Sequence, residues 1–474
     1  MVSSHKRSSR LPALSMLPNE SLYIGVDIGK FKHVAGFLSK TLLERHKHFE
    51  HCPAFVFEQS REGFRAFVER MQVYSPLEQC FILMEQTGHY HRPLQQYLLE
   101  LDLPVHIIHL QRRQAGMLKT DKRDALGLAN QLSTQLELGA QVADTLQAIR
   151  RAIPPTEAAA QLKGLMRHRY ELVNEATQRK NKLTAICDEL FPELTQVFKD
   201  PNLPTALELR EKFPTPQAIA TASLVALREV RKKSSPSEAQ LVHLQPLAAQ
   251  SIGTKDLTRQ RGLMVEQTLL IRELRLLQDH LEQLAGEIGQ IIEQSREGQI
   301  LTSIPPIGPL SAAAIIATLG SIGNFEDAAH LKSYFGWAPT RAQTGVSCDR
   351  TRLTPAGSRE MKKVMFLVAW KAVQTDTEWA KLYERLVPRL CSYDERMQVY
   401  KGKGKVLGHI IGRLITLIFA LLKKDYETLS QFAAGAEAPP PTLYDPELHR
   451  QHRTGHYQPL RKKQPENRIV QVQP

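Results

Sequence analysis

The chain has little with which to build a disulfide framework, a zinc knuckle or a membrane anchor. Five cysteines, Cys52, Cys80, Cys187, Cys348 and Cys391, stand far apart with no Cys-x-x-Cys pair. An odd, scattered set argues against paired bridges and for a reducing compartment. The opening residues, MVSSHKRSSRLPALSMLPNE, carry positive charge but no apolar core of the kind a secretory signal needs. The longest apolar run, VLGHIIGRLITLIFALL at 406–422, is interrupted by His409 and Arg413. It is short for a bilayer crossing, so a buried helix in a cytoplasmic protein with no membrane partner is expected. His89, His91, His106 and His109 lie close in sequence, but His106 and His109 fall out of phase on one strand. No cysteine or acid completes a ligand set at a recognised spacing, so surface or core roles are expected for all four.

What the chain has in excess is positive charge. Lys and Arg number 62 against 49 Asp and Glu, a formal net charge of +13. That surplus favours a polyanionic partner, nucleic acid first among them, and says nothing of fold. With 474 residues, 42% of them hydrophobic, there is material for two or three domains with separate cores.

Residues 22 to 110 alternate short β-prone runs with amphipathic stretches. LYIGVDI and KHVAGFL read as strands around a Gly-Lys turn, REGFRAFVERM as a helix with Phe64, Phe67 and Met71 on one face. CFILME is a buried strand, RPLQQYLLEL a helix opened by Pro93, and VHIIHL another strand. From 162 onward the pattern turns helical. Leu162, Leu165, Leu172, Leu183, Ile186 and Leu190 share a heptad register, and Leu270, Leu274, Leu277, Leu281, Leu284, Ile288 and Ile291 step by four and three. Two long helices are predicted, built to pair either with each other or between subunits. A Pro-punctuated set of short helices separates them, and the Pro-rich basic segment after 433 reads as disordered.

Asp27 stands inside the apolar run YIGVDIGKF, where an uncompensated carboxylate costs several kcal/mol. Glu85 ends CFILME, and Asp121 and Asp124 in KTDKRDA lie three apart, hence on one helical face. Each has a bland account: a turn residue, a carboxylate before a helix, acids in a first helical turn. Their order is more specific. Asp on a first strand, Glu ending a later one, and Asp-x-x-Asp after the last is the order by which an RNase H-like sheet gathers four carboxylates at one edge. Such an oxygen-rich group suits two Mg²⁺ or Mn²⁺ ions about 4 Å apart for phosphoryl transfer.

GVDIGK, MEQTGHY and KTDKRDA, followed by IPPIGPLSAAAIIATLGSIGNF, YFGWAPTRAQTG and RTRLTPAGSREMKK, resemble the DEDD transposases of the insertion-sequence-110 class over roughly residues 20 to 430. The resemblance implies an α/β RuvC-like (RNase H) N-terminal domain, a long coiled-coil helical region and a mostly α-helical C-terminal domain. On it the chain divides into a flexible tail (1–19), the metal domain (20–155), a helical coiled-coil linker or insertion (156–297), a C-terminal transposase domain that binds DNA (298–432) and a disordered basic tail (433–474). The DEDD set carries over to Asp27, Glu85, Asp121 and Asp124, with Mg²⁺ or Mn²⁺ as cofactor. Also implied are donor and target DNA, a guide or bridge RNA, a homodimer or homotetramer, and work in the bacterial cytoplasm and nucleoid.

In the C-terminal domain Gly308 precedes a small-residue helix, as in a helix-hairpin-helix whose backbone N–H groups meet phosphates; a packed Ala-rich core helix fits the composition equally well. Thr344, Ser347, Thr351 and Thr354 stand among Arg341, Arg350, Arg352 and Arg359, a mixture suited to phosphate contact. The family resemblance makes one hydroxyl the nucleophile that joins covalently to DNA, a serine in a Ser-Gly pair shortly after Ala-Pro. Here the matching pair is Thr344-Gly345 and the nearest serine is Ser347, so both remain candidates. The rival readings are a RuvC-like Holliday-junction nuclease using activated water, a non-catalytic nucleic-acid-binding protein descended from a transposase, and, least supported, an actin-like ATPase opening on Asp27-Ile28-Gly29.

Overall fold

An alternation of apolar residues with a Gly-Lys turn at its centre makes the first two strands a hairpin. In the computed structural model, which describes residues 20–86, 88–108, 120–138, 150–230, 236–344, 348–375, 378–432 and 438–446, β1 (Leu22–Asp27) pairs antiparallel with β2 (Lys32–Leu38). Then follow α1 (Lys40–His46), β3 (Ala54–Glu58), α2 (Arg61–Tyr74), β4 (Cys80–Glu85), α3 (Arg92–Glu100), β5 (Val105–Ile108), α4 (Asp121–Leu138) and β6 (Arg150–Arg151). The sheet order is β3-β2-β1-β4-β5-β6, with β1, β4 and β5 parallel and the others antiparallel to their neighbours. One face is covered by Phe64, Phe67, Met71 and Tyr74 of α2 with Leu94 and Leu98 of α3, where Phe57 stacks on Phe67 at 4.5 Å and Phe37 meets Tyr74 at 4.9 Å. The other face carries α4. The strands expected from the sequence are present; β3 and β6 were not anticipated.

This is one of two compact units, which divide between Pro154 and Pro155. The second begins with α5 (Glu157–Leu190), continues through α6 (Leu194–Val197), α7 (Pro204–Lys212), α8 (Pro216–Thr221), α9 (Leu224–Glu229) and α10 (Glu238–Ala249), and returns along α11 (Leu257–Gln294). The two long helices fold back on each other. Arg259 pairs with Glu189 at 2.6 Å and Arg179 with Glu273 at 3.0 Å, so they run antiparallel. Leu172, Leu183, Ile186 and Leu190 bury against Leu263, Leu270, Leu274 and Leu277. The heptad seam is not kept throughout. Leu281, Leu284 and Ile291 are only partly buried, while Ile271 and Ile292, off that register, are buried. A straight helix drifts by about 20° per heptad, which fits the exchange of Ile291 for Ile292 at the end of α11.

The rest of the unit comprises α12 (Arg296–Thr302), α13 (Pro309–Leu319), α14 (Ala328–Tyr334), β7 (Pro339–Thr344), β8 (Cys348–Leu353), α15 (Arg359–Gln374), α16 (Glu378–Leu390), β9 (Ser392–Asp394), β10 (Val399–Lys401) and α17 (Lys403–Ser430). It is mainly helical, interrupted by the hairpins β7-β8 and β9-β10. The apolar run of α17 is long enough to cross a membrane, but Ile410, Ile411, Leu414, Ile415 and Ile418 are buried in the core with α13 and α15. Part of the segment expected to be disordered is held in place: Arg296 donates to the Pro439 carbonyl at 2.7 Å, and the Tyr444 N–H donates to Ser303 Oγ at 2.9 Å. Residues 433–437 and 447–474 lie outside the described residues, as do 1–19.

Candidate functional site

Two glycines decide where the carboxylates go. A Cβ at Gly25 would lie 2.0 Å from the Ala125 carbonyl oxygen, and one at Gly36 would lie 2.7 Å from the Leu126 nitrogen. Gly25 and Gly36 are register partners on β1 and β2, so together they open a flat patch on which the backbone of α4 lies directly. Only glycine permits that approach. At its far end α4 reaches the start of β1, where Glu137 hydrogen-bonds the Tyr23 hydroxyl. Its first turn, with Asp121 and Asp124, is therefore at the other end of the strand, the end that carries Asp27.

Strand register supplies the second pair. Val26 lies beside Met84 in the parallel β1-β4 ladder, which makes Asp27 and Glu85 the next neighbours. Side chains alternate along a strand, so Tyr23, Gly25 and Asp27 share the α4 face with Phe81, Leu83 and Glu85; the Tyr23 and Phe81 rings, stacked at 6.0 Å, show that pairing. Asp27 is half-buried and Glu85 is buried.

The first turn of α4 is fixed on both sides. Thr120 Oγ1 accepts from the Arg123 N–H at 3.3 Å, closing the helix start, and Arg123 pairs with Glu50 at 2.8 Å. Asp124 is half-buried and Asp121 exposed. The fold thus sets two carboxylates on adjacent strand ends and two on the helix turn at the same end and face of the sheet. Among the described residues, no three His, Cys, Asp or Glu side chains stand close enough together to hold a metal ion. In kind the donors suit a hard divalent cation, since all are carboxylate oxygens and two are held on rigid strands.

Neighbouring histidines are structural. His33, fully buried on the opposite face, accepts from the Gly29 N–H at 3.3 Å and bonds Gln59, which donates to the Tyr90 carbonyl at 2.9 Å. Burial lowers its pKa, and does the same for His106 inside β5. His91 is buried, His89 is exposed against Tyr90, and His109 lies outside the described residues.

The hydroxyl candidates lie on the β7-β8 hairpin. Thr344 ends β7 opposite Cys348, and the intervening turn, with Gly345 and Ser347, is outside the described residues. Arg341 is registered with Thr351, Arg350 with Ala342 and Arg352 with Thr340, so three of the four arginines lie on the hairpin's two strands. The fourth, Arg359, is exposed in the first turn of α15. Gly308 caps α13 with open space around its Cα, while Ala312, Ala313, Ile315 and Ile316 further along are buried. The Ala-rich helix is thus core, with its N-terminus at an open position. Sequence reading overlooked Gly25 and Gly36, although two glycines inside apolar strands are the usual trace of a close backbone approach.

A mixed sheet with two strand-end carboxylates beneath a helix bearing two more is compatible with an RNase H-like DEDD domain. Comparison with known proteins makes this specific. Residues 24–192 match the DEDD transposase family model of the IS110 class, described as Transposase, and residues 298–384 match the model described as Transposase IS116/IS110/IS902 family. The chain belongs to the IS110 family of transposases, enzymes that act on DNA. It is 26% identical over 328 residues to the insertion element IS110 uncharacterized 43.6 kDa protein of Streptomyces coelicolor, covering 68% of this chain and 75% of that one. Over 236 residues it is 29% identical to the mini-circle putative transposase for IS117 of the same organism, covering 48% of this chain and 54% of the relative. The pilin gene-inverting protein of Moraxella bovis is 25% identical over 177 residues, 36% of this chain and 52% of the relative.

Proposed function

We propose that this protein moves its element by cutting and rejoining DNA strands through a covalent protein–DNA intermediate. By the family resemblance Asp27, Glu85, Asp121 and Asp124, drawn closer than they stand in the free chain, would hold Mg²⁺ or Mn²⁺, and the ion would offset negative charge at the reacting phosphate. The hydroxyl of Thr344 or Ser347 gives up its proton as it attacks that phosphorus, and the bond to the leaving deoxyribose oxygen breaks as that oxygen takes up a proton, so one phosphodiester replaces another with no net change in protons. Attack by a deoxyribose hydroxyl of another strand reverses the step and completes the exchange. Arg341, Arg350, Arg352 and Arg359 bind the flanking phosphates, and Gly308 admits the backbone at the α13 N-terminus.

By the family resemblance, a guide or bridge RNA from the element selects donor and target. The same resemblance makes the working form a homodimer or homotetramer, in which the carboxylate domain of one subunit serves the hairpin of another, and places it in the bacterial cytoplasm. The observation that carries the reading is the pairing of Asp27 and Glu85 at adjacent strand ends below the first turn of α4, within the matched transposase region.

A suicide substrate tests it. Protein, Mg²⁺, the element's end RNA and a nicked, labelled junction DNA are incubated, and an SDS-resistant adduct is mapped by peptide mass spectrometry. An adduct on Thr344 or Ser347 is expected. Cleavage without an adduct would make the protein a metal-dependent junction nuclease, and binding without cleavage would make it a binding protein only.

A further inference from the structure

The outer face of α15 has a composition that burial does not explain. Its inner line, Met361, Met365, Val368, Ala369 and Ala372, is buried in the C-terminal core. On the opposite side Phe366, Leu367 and Trp370 are 42%, 53% and 45% exposed. Phe366 and Trp370, four residues apart, stack with centroids 6.3 Å apart and planes within 11°. The same face carries exposed Arg359 and Lys363 in the turns before the rings, and exposed Lys371 lies on its flank. The helix as a whole has four cations to one carboxylate, Glu360, which accepts a hydrogen bond from its own N-cap, Ser358.

That face is joined firmly to the hairpin. Thr354, just past β8, donates its N–H to the Ala338 carbonyl at 3.0 Å, and Lys362 of α15 donates to the Thr354 carbonyl at 2.8 Å. Between them Gly357, at φ +89°, lies so close to Gly336 that an added Cβ would be 2.5 Å from its Cα. The base of the hairpin is therefore tied to the first turns of α15. From Arg359 to Trp370 the helix rises about 16 Å, a span of a few nucleotides.

We infer that the Phe366–Trp370 stack is a platform on which an unstacked base of single-stranded DNA lies, while Arg359, Lys363 and Lys371 hold the adjoining phosphates. The inference rests on the strand-exchange reading, which frees bases near the cut, and adds to it a residue-level site for the opened strand. A flat aromatic surface binds any base by its π-face, and cations beside it track the backbone. A protein partner would also accept exposed aromatics, but cations flanking rings on a chain of net charge +13 favour a polyanion.

Trp370 reports on its own site. Trp379 is buried and Trp337 half-buried, so Trp370 is the most exposed of the three indoles. Titrating the full-length protein with a short single-stranded oligodeoxynucleotide should quench its emission. Phe366→Ala and Trp370→Ala should weaken binding of that strand by about fivefold to a hundredfold. Their salt dependence should stay unchanged, and Trp370→Phe should bind like wild type. Circular dichroism and melting confirm that these surface variants fold. Unchanged affinity in Phe366→Ala and Trp370→Ala overturns the inference. So does a loss confined to RNA of the same sequence, or a shift in sedimentation showing that a second copy covers the face. An absence of covalent adduct in the wild-type protein would count against the nucleophile alone and would leave the quenching result to judge the platform.

Discussion

Asp27 and Glu85 are neighbours across the β1-β4 ladder, one residue beyond the Val26–Met84 pair, and both face α4. Two carboxylates fixed side by side repel each other, and a bound dication reverses that cost. Asp27→Ala, Glu85→Ala or Asp124→Ala should abolish strand exchange while DNA affinity, carried by basic residues elsewhere, changes less than about threefold. A mobility-shift assay run beside an exchange assay separates the two. Wild-type exchange in all three variants would remove the metal site from the mechanism.

Gly25→Ala tests the positioning of α4. The new methyl would meet the Ala125 carbonyl and the Ala129 nitrogen, at 2.0 and 2.4 Å, both backbone atoms that cannot swing aside. Helix and sheet must separate, at a cost of about 1–3 kcal/mol. Because that shift moves Asp121 and Asp124 away from the strand ends, exchange should fall by far more than the loss of folded protein explains. Thermal melting measures the stability part, and exchange per folded molecule measures the rest.

Much of this was legible in the sequence because the signals are local. The alternation of LYIGVDI and KHVAGFL reports two strands without reference to anything distant, and KTDKRDA carries its own helix start in Thr120 and its acids. Long-range relations were less visible. The Gly25–Gly36 patch takes its meaning from α4, far along the chain at Ala125 to Ala129. The long helices offered two pairings with the same apolar lines, and the ion pairs of Arg259 with Glu189 and Arg179 with Glu273 record which one forms. Phe366 and Trp370 drew no expectation from the sequence, since periodicity does not say which of two apolar lines of a helix faces inward.

Arg210 is the most demanding group in the helical hairpin. Nearly fully buried, it donates to Gln267 Oε1 at 2.9 Å, the Pro201 carbonyl at 3.1 Å and the Leu183 carbonyl at 2.6 Å, while Gln267 donates back to its carbonyl at 3.0 Å. Desolvation lowers its pKa. One side chain thereby joins α5, α7 and α11. Arg210→Ala takes the donor from Gln267 Oε1 and the Pro201 carbonyl and leaves a cavity among α5, α7 and α11, and should cost about 3 kcal/mol or more. Denaturant unfolding measures it; a loss below about 1 kcal/mol would mean that water replaces the guanidinium.

Stability should also fall on the acid side of neutrality. His33 and His106 are both buried, and desolvation lowers each pKa from the ordinary 6.5. Below that value the unfolded chain takes up protons that the folded imidazoles refuse, so protonation favours unfolding. The stability is whole above pH 6.5 and is lost as the pH drops from there toward the lowered folded pKa, by at most about 1.4 kcal/mol per pH unit for each histidine. His33→Gln keeps a side chain able to bond Gln59 but has no proton to gain in this range. Between pH 6.5 and 5 its melting temperature should decline with roughly half the slope of the wild-type protein. Equal slopes would mean that His33 is protonated in the folded state too, with its bond to Gln59 outweighing the cost of burial.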